Sequence, residues 1–333
     1  MMDHKIRLGV IGTGLAWDKL HWPVLQKLTD KYEIRAVCNR TIEKAQKFAD
    51  TISLAADCVY SDYSELLLRD DIDAVDVLVP ISESFKIAKD VLLAGKHLIA
   101  EKPFASSPEA AQKLIVLKNA KGLNVLIAEN FLYDEEVQII KSLLEGKSLG
   151  KPLYFIQNSA SDLNDNPFMR TPWRQVPAFF GGNFLDGGIH DIARIRYLFG
   201  DVRHLDVLAQ PPNTPFVPHA SINALMGFDS GIFGMYAYLP SAPERTDFPV
   251  GFRIFCEKGE IYLESRSCGK LRVFHHDGRV QEIAFTPDAG YYLEMVNFWD
   301  ALYNEAPILA TPEVEVGDIK LVFEILNLAK KDL

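Results

Sequence analysis

The chain predicts two domains: an α/β domain on a doubly wound parallel sheet, then an α+β domain with a large, mostly antiparallel open sheet. Three observations carry this prediction. Strand-like and helix-like runs alternate through about residue 125, a glycine-rich turn joins the first strand to the first helix, and beyond residue 150 the runs become short strands joined by turns.

The first domain is read as residues 1–128. Its strand-like runs fall at 7–11, 33–38, 74–79, 97–100 and 124–128, and its helix-like runs at 42–50, 64–69, 84–93 and 108–119. The strands are short and apolar, as strands buried on both faces are. The second domain is read as residues 129–333 and opens with a helix at 134–145. Strands are expected at 152–159, 202–209, 221–228, 231–239, 251–257, 259–265, 270–275 and 279–285, with turns at Asp229-Ser230-Gly231 and Asp277-Gly278. Helices at 291–304 and 316–330 close the chain, and the last is expected to pack back on the first domain.

The first strand runs into Gly12-Thr13-Gly14-Leu15-Ala16, followed by a helix-like stretch to about Leu28. Strand, glycine turn and helix form the setting of a dinucleotide fingerprint. Gly12 permits the tight turn, and Gly14 lets the backbone approach a pyrophosphate at the helix N-terminus. Trp17 stands where a third small residue is usual. The second strand ends at Asn39-Arg40-Thr41, with Lys44 one turn on. An acid here would favour NAD by binding both ribose hydroxyls. The guanidinium of Arg40 instead suits a 2′-phosphate, so NADP is expected and NAD left open.

A third motif, Glu101-Lys102-Pro103, closes the fourth strand-like run, where a lysine faces the ligand crevice of a parallel sheet. A fourth, residues 181–200, places Asp186 and His190 four apart after paired glycines. On a helix such a pair shares one face, and a carboxylate beside an imidazole keeps the ring suited to proton transfer near neutral pH.

In order and together, GTG at 12–14, AGKHLIAEKP at 94–103 and GGNFLDGGIHDIARIRYLFG at 181–200 resemble the glucose–fructose oxidoreductase, inositol dehydrogenase and rhizopine-catabolism (Gfo/Idh/MocA) family of NAD(P)-dependent enzymes. KSLLEGKSLGKPLYF at 141–155 and YYLEMVNFWDAL at 291–302 extend the likeness over nearly the whole chain. The resemblance implies a catalytic set of Lys102, Asp186 and His190. It implies coenzyme contacts from the glycine loop, Pro80, Glu101, Asn130, Trp173 and Arg174. The chain departs from the family at Val79-Pro80-Ile81 and Ser84, where Thr-Pro-Asn and a histidine are frequent. Leu20-His21-Trp22-Pro23 resembles a Phe-His-x-Pro element, so His21 is either a site residue or a helix-start histidine. Phe131, Tyr133, Tyr154 and Trp173 are aromatic candidates for stacking on a sugar ring, or core residues.

The implied reaction is reversible hydride transfer between the nicotinamide and a secondary alcohol or hemiacetal carbon of a sugar or cyclic polyol. His190 is then the acid–base, Asp186 its orienting carboxylate and Lys102 the charge beside the alkoxide. A homodimer or homotetramer through the open face of the second sheet is the family-like arrangement. Two other readings stay open. A ligand-responsive regulator without turnover would be expected to lose Lys102 or His190, which this chain keeps. A reductase could instead act on another carbonyl, such as an imine, a bilin or a dihydrodiol.

Composition agrees with a globular enzyme. The 333 residues are 48% hydrophobic and 24% charged, with net charge −10. No basic run suits a phosphate backbone, so nucleic acid is not an expected partner. No apolar run reaches the length of a bilayer span and no cleavable leader is evident, so a cytoplasmic protein is expected. Cys38, Cys58, Cys256 and Cys268 lack metal-ligand spacing, and His275-His276 would point to opposite faces of a strand, so no metal is expected.

Overall fold

The structure is a computed structural model describing residues 4–161, 166–211, 216–240 and 251–329. Residue 330, the expected end of the closing helix, lies outside them. The chain divides into two compact units. The first comprises Met1–Glu129 and Tyr291–Val316, the second Asn130–Gly290 and Gly317–Leu333.

The first unit holds a parallel sheet of strands β1 (Ile6–Ile11), β2 (Tyr32–Cys38), β3 (Val59–Tyr60), β4 (Ala74–Val77), β5 (His97–Glu101) and β6 (Val125–Ala128), in the order β3-β2-β1-β4-β5-β6. The chain leaves β1 in one direction toward β2 and β3 and returns on its other side at β4. Ile11 at the carboxyl end of β1 pairs with both Cys38 and Val77, so the β1 and β4 ends lie side by side at this reversal. Every residue of β4 and β6 is buried, and the strands are apolar apart from Asp76 in β4.

The helices are α1 (Trp22–Leu25), α2 (Ile42–Thr51), α3 (Tyr63–Leu67), α4 (Ile81–Leu93), α5 (Pro108–Lys121), α6 (Glu135–Glu145), α7 (Pro172–Gln175), α8 (Ile189–Phe199), α9 (Gly290–Tyr303) and α10 (Pro312–Ala329). Sequence marks α5 most clearly. Ser107 caps its first turn by accepting from the Ala110 amide at 3.2 Å, Pro108 opens it, and Gly122 ends it at φ 64°. Residues of α9 and the loop beyond are stitched into the first unit. Tyr32 donates to the Met295 carbonyl at 2.6 Å, Trp299 donates to the His4 carbonyl at 2.8 Å, and the Ile127 amide donates to the Ala310 carbonyl at 2.9 Å.

The second unit is built on an eight-stranded sheet of β7 (Pro152–Ala160), β8 (Val202–Ala209), β9 (Ile222–Phe228), β10 (Phe233–Leu239), β11 (Phe252–Cys256), β12 (Gly259–Leu263), β13 (Lys270–His275) and β14 (Val280–Ala284). The order is β14-β13-β12-β11-β7-β10-β9-β8, antiparallel apart from β7 with β10. Alternation sends Phe155, Met226, Tyr236, Phe252 and Ile254 into the core. Helix α8 covers that face. Its Phe199 stacks on Phe155 at 4.8 Å and meets Phe228 and Phe252 edge-on. Asp191 of α8 pairs with Arg194 at 2.7 Å and accepts from the Tyr236 hydroxyl at 3.1 Å, tying the helix to β10.

One glycine makes this packing possible. The Phe155 ring lies across Gly234 on the neighbouring strand, and a Cβ there would stand 1.9 Å from the ring. Gly234→Ala must push Phe155 off β10 and away from α8. It is expected to lower stability by about 1–3 kcal/mol, the usual cost of overpacking, seen as a lower urea midpoint. An unchanged midpoint would contradict this packing.

Candidate functional site

In the first unit the glycine loop leaves β1 at the strand-order reversal. Gly12 is fixed by two constraints. Its φ is 105°, and a Cβ there would lie 2.1 Å from the Leu78 carbonyl oxygen. Gly14 is different, since a Cβ built on it meets no atom within 4 Å. Packing therefore does not require glycine at position 14, whereas close approach of a phosphate does. Thr13 is buried, and its hydroxyl accepts from the Asn39 side chain at 3.2 Å. Asn39 also accepts from the Thr41 amide at 3.0 Å, so this one side chain joins the glycine loop to the end of β2. Arg40 beside it is exposed, and no described residue pairs with its guanidinium.

Beyond Leu15 and Ala16, which are half-buried, the structure departs from the expected long helix. A π-helical turn at Trp17–His21 leads into the four-residue α1. Trp17, the bulky residue in the fingerprint, is fully buried and stacks on Trp22 at 5.9 Å and edge-on to Phe48 of α2 at 4.9 Å. It serves as a wedge between the loop and α2. The widened turn brings His21 inside, where its ring is 1% exposed and lies 2.8 Å from Asp76 of β4. Pro80 is half-buried at the start of α4. Glu101 ends β5, with Lys102 half-buried next to it and a cis peptide joining Lys102 to Pro103.

In the second unit the Asp–His motif is not one regular helix. Phe184–Gly188 forms a π-helical turn that carries Asp186, and His190 lies in the first turn of α8. Asp186 is 3% exposed and is gripped by Arg174, with Nε 2.6 Å from Oδ2 and Nη2 3.1 Å from Oδ1. This is the two-pronged geometry that holds a carboxylate in one plane. Arg174 is itself fixed against the Trp173 ring, 3.9 Å from its centroid. Trp173 and Arg174, matched above to a coenzyme-touching pair, thus act here on Asp186.

The half-buried His190 ring stacks on Phe131 at 4.4 Å and 13°. The Arg266 guanidinium lies 3.6 Å from the centroid of that same Phe131 ring and is held by Asp134 at 2.5 Å. Burial pushes the carboxyl of Glu136, 3.7 Å from Arg266, up to about 7. Asn130 is 1% exposed, and its side-chain nitrogen has no partner among the described residues, a free donor of the sort a carboxamide ligand would take up. Of the aromatic candidates, Tyr133 is buried core, while Phe131 and Trp173 do positional work on His190 and Arg174. Tyr154 is half-buried in β7 and tilts against Phe255 at 6.3 Å.

Sequence reading missed three residues here. Asp76 is a lone acid in a buried apolar strand, Glu294 is 0% exposed in an apolar helix, and Arg266 stacks on Phe131. For the two acids the signal was present, since a carboxylate within an apolar run needs an explanation. Nothing in the sequence marks Arg266.

Two family models match the chain. One, an oxidoreductase family with an NAD-binding Rossmann fold, covers residues 6–129; the other, a GFO/IDH/MocA C-terminal domain, covers residues 137–262. An uncharacterized protein of Saccharomyces cerevisiae is 31% identical over 98% of this chain and 97% of its own length. The scyllo-inositol 2-dehydrogenase (NADP(+)) IolW of Bacillus subtilis is 28% identical, over 64% of this chain and 58% of its own. The crystal structure of an oxidoreductase from Thermotoga maritima superposes with a TM-score of 0.87 at 27% identity, covering 98% of this chain and 97% of that one. The glycine loop at the sheet reversal, the open eight-stranded sheet and these matches lead to one conclusion: the chain belongs to the Gfo/Idh/MocA family and is an NAD(P)-binding oxidoreductase.

Proposed function

We propose that the protein reversibly transfers a hydride between NADP and a secondary alcohol or hemiacetal carbon of a sugar or cyclic polyol. The observation that carries the coenzyme part is the loop at Gly12–Thr13–Gly14, where position 14 has space for a phosphate that packing does not explain. The preference for NADP rests on the end of β2, which offers the exposed Arg40 and Thr41 and no acid, Asn39 being committed to Thr13 and Thr41. The sugar or polyol class rests on the likeness to the NADP-dependent inositol dehydrogenase.

The nicotinamide, when bound, supplies or accepts the hydride. Asn130 offers its unpartnered amide to the nicotinamide side. His190 takes the hydroxyl proton in oxidation and returns it in reduction, its ring plane fixed by Phe131. Asp186, locked by Arg174, offsets the imidazolium so formed. Lys102 supplies positive charge to the developing alkoxide, with Pro80 and Glu101 shaping the strand ends around it. The uncovered sheet face exposes Leu208, Leu225 and Phe233 at 70%, 54% and 58%, and we assign it to a homodimer or homotetramer contact. Four free cysteines suit the reducing cytoplasm.

Lys102→Ala is expected to cut turnover by about a hundredfold or more while coenzyme still binds; an unchanged rate would remove Lys102 from the chemistry. Gly14→Ala should leave the melting temperature in place and weaken NADPH binding by about tenfold, roughly 1.4 kcal/mol. Unchanged affinity would place the phosphates elsewhere. Arg40→Glu should lower NADPH affinity relative to NADH by about tenfold, measured by fluorescence titration. An unaltered ratio would refute the NADP assignment.

A further inference from the structure

We propose that His21 is a positioning residue: a buried histidine whose two ring nitrogens hold Asp76 of β4 and Glu101 of β5, fixing the strand end that carries Lys102. The inference rests on the catalytic reading of Lys102 given above.

The geometry is specific. Nδ1 lies 2.8 Å from Asp76 Oδ2, and Nε2 lies 3.2 Å from Glu101 Oε1. The side chains of His21 and Asp76 are 1% and 0% exposed, and that of Glu101 is 17% exposed. Asp76 and Glu101 stand on adjacent paired strands, and Glu101 immediately precedes Lys102. A ring joining the two therefore sets the angle at which β5 delivers the lysine.

The surrounding groups favour a charged ring. Burial opposes the charge, but the attraction of Asp76 and Glu101 and the hydrogen bond with Asp76 outweigh it and hold His21 well above the usual histidine range. Three further groups face the cluster. Glu294 of α9, with neither oxygen partnered among the described residues, is pushed by burial well above the carboxylate range. Glu129 follows β6 and adds negative potential. The Tyr32 hydroxyl, pushed up by burial, donates to the Met295 carbonyl. Because the folded-state value is raised, the stabilisation is complete below the unfolded value of about 6.5 and is lost only as pH climbs through the folded value. The clamp is intact at neutral pH and releases in alkali.

The first test uses the unaltered protein labelled with 15N-histidine, the His21 signals being those that vanish in His21→Gln. Both ring nitrogens should be protonated at about pH 7.5 and titrate only at higher pH. A His21 ring with one bare nitrogen at neutral pH would overturn the proposal. In the second test, His21→Gln should retain coenzyme affinity, lose about tenfold in kcat and show an altered alkaline limb in its pH profile, while His21→Phe loses more. Unchanged kcat and profile in a folded His21→Gln would also overturn it. If that variant fails to fold, the NMR titration decides alone. If the unaltered protein oxidises no sugar or polyol, the dehydrogenase reading fails, and the titration still decides whether the clamp exists.

Discussion

A carboxylate taken out of water must find a cation, accept hydrogen bonds or give up its charge. That constraint shapes both units around their chemistry. Asp76, fully buried in the central sheet, draws in His21, and this requires the chain after the glycine loop to turn more widely than an α-helix. Asp186, nearly as buried, draws in Arg174, and the segment from Thr171 to Val176 is folded to deliver that guanidinium. In each case a π-helical turn lies beside the buried acid. The extra backbone width lets a side chain point inward that a regular helix would carry past.

The second unit adds a stacking constraint to the ionic one. His190 is held by the face of Phe131, with the Arg266 cation 3.6 Å from the same ring, and Arg266 in turn satisfies Asp134. Helix α8, which carries His190, is anchored at its far end by Phe199 on Phe155, a contact that exists because Gly234 leaves room for the ring. His190 is thus fixed from two directions by packed aromatic rings, which restricts its rotamers.

Much of the fold was legible because its signals are local. Five of the six parallel strands are short, mostly apolar runs, and the eight strands of the second sheet alternate between marked turns. Strand β3 was not legible: two residues, Val59 and Tyr60, make no periodic pattern. The long helix expected after the glycine loop is a wide turn and one short helix, because a π-turn has no sequence period of its own. The segment Tyr291–Val316 belongs to the first unit through contacts such as Tyr32 with Met295, made across 263 residues of chain and invisible to a local reading. The same limit applies to the site. Motif spacing picks out Asp186 and His190, but only the fold shows that Arg174 holds the first and Phe131 the second. His21 reads alike as a site residue or a helix-start histidine until Asp76, 55 positions away, is seen against it.

The most direct measurement is a survey of aldoses, inositols, amino sugars and keto-sugars with NADP and NAD, in oxidised and reduced form, followed by nicotinamide absorbance. Expected is turnover confined to one sugar or polyol class and faster with the phosphorylated coenzyme. Tight coenzyme binding with silence across the whole panel would contradict a sugar or polyol dehydrogenase and point to a binding protein or to a different carbonyl substrate.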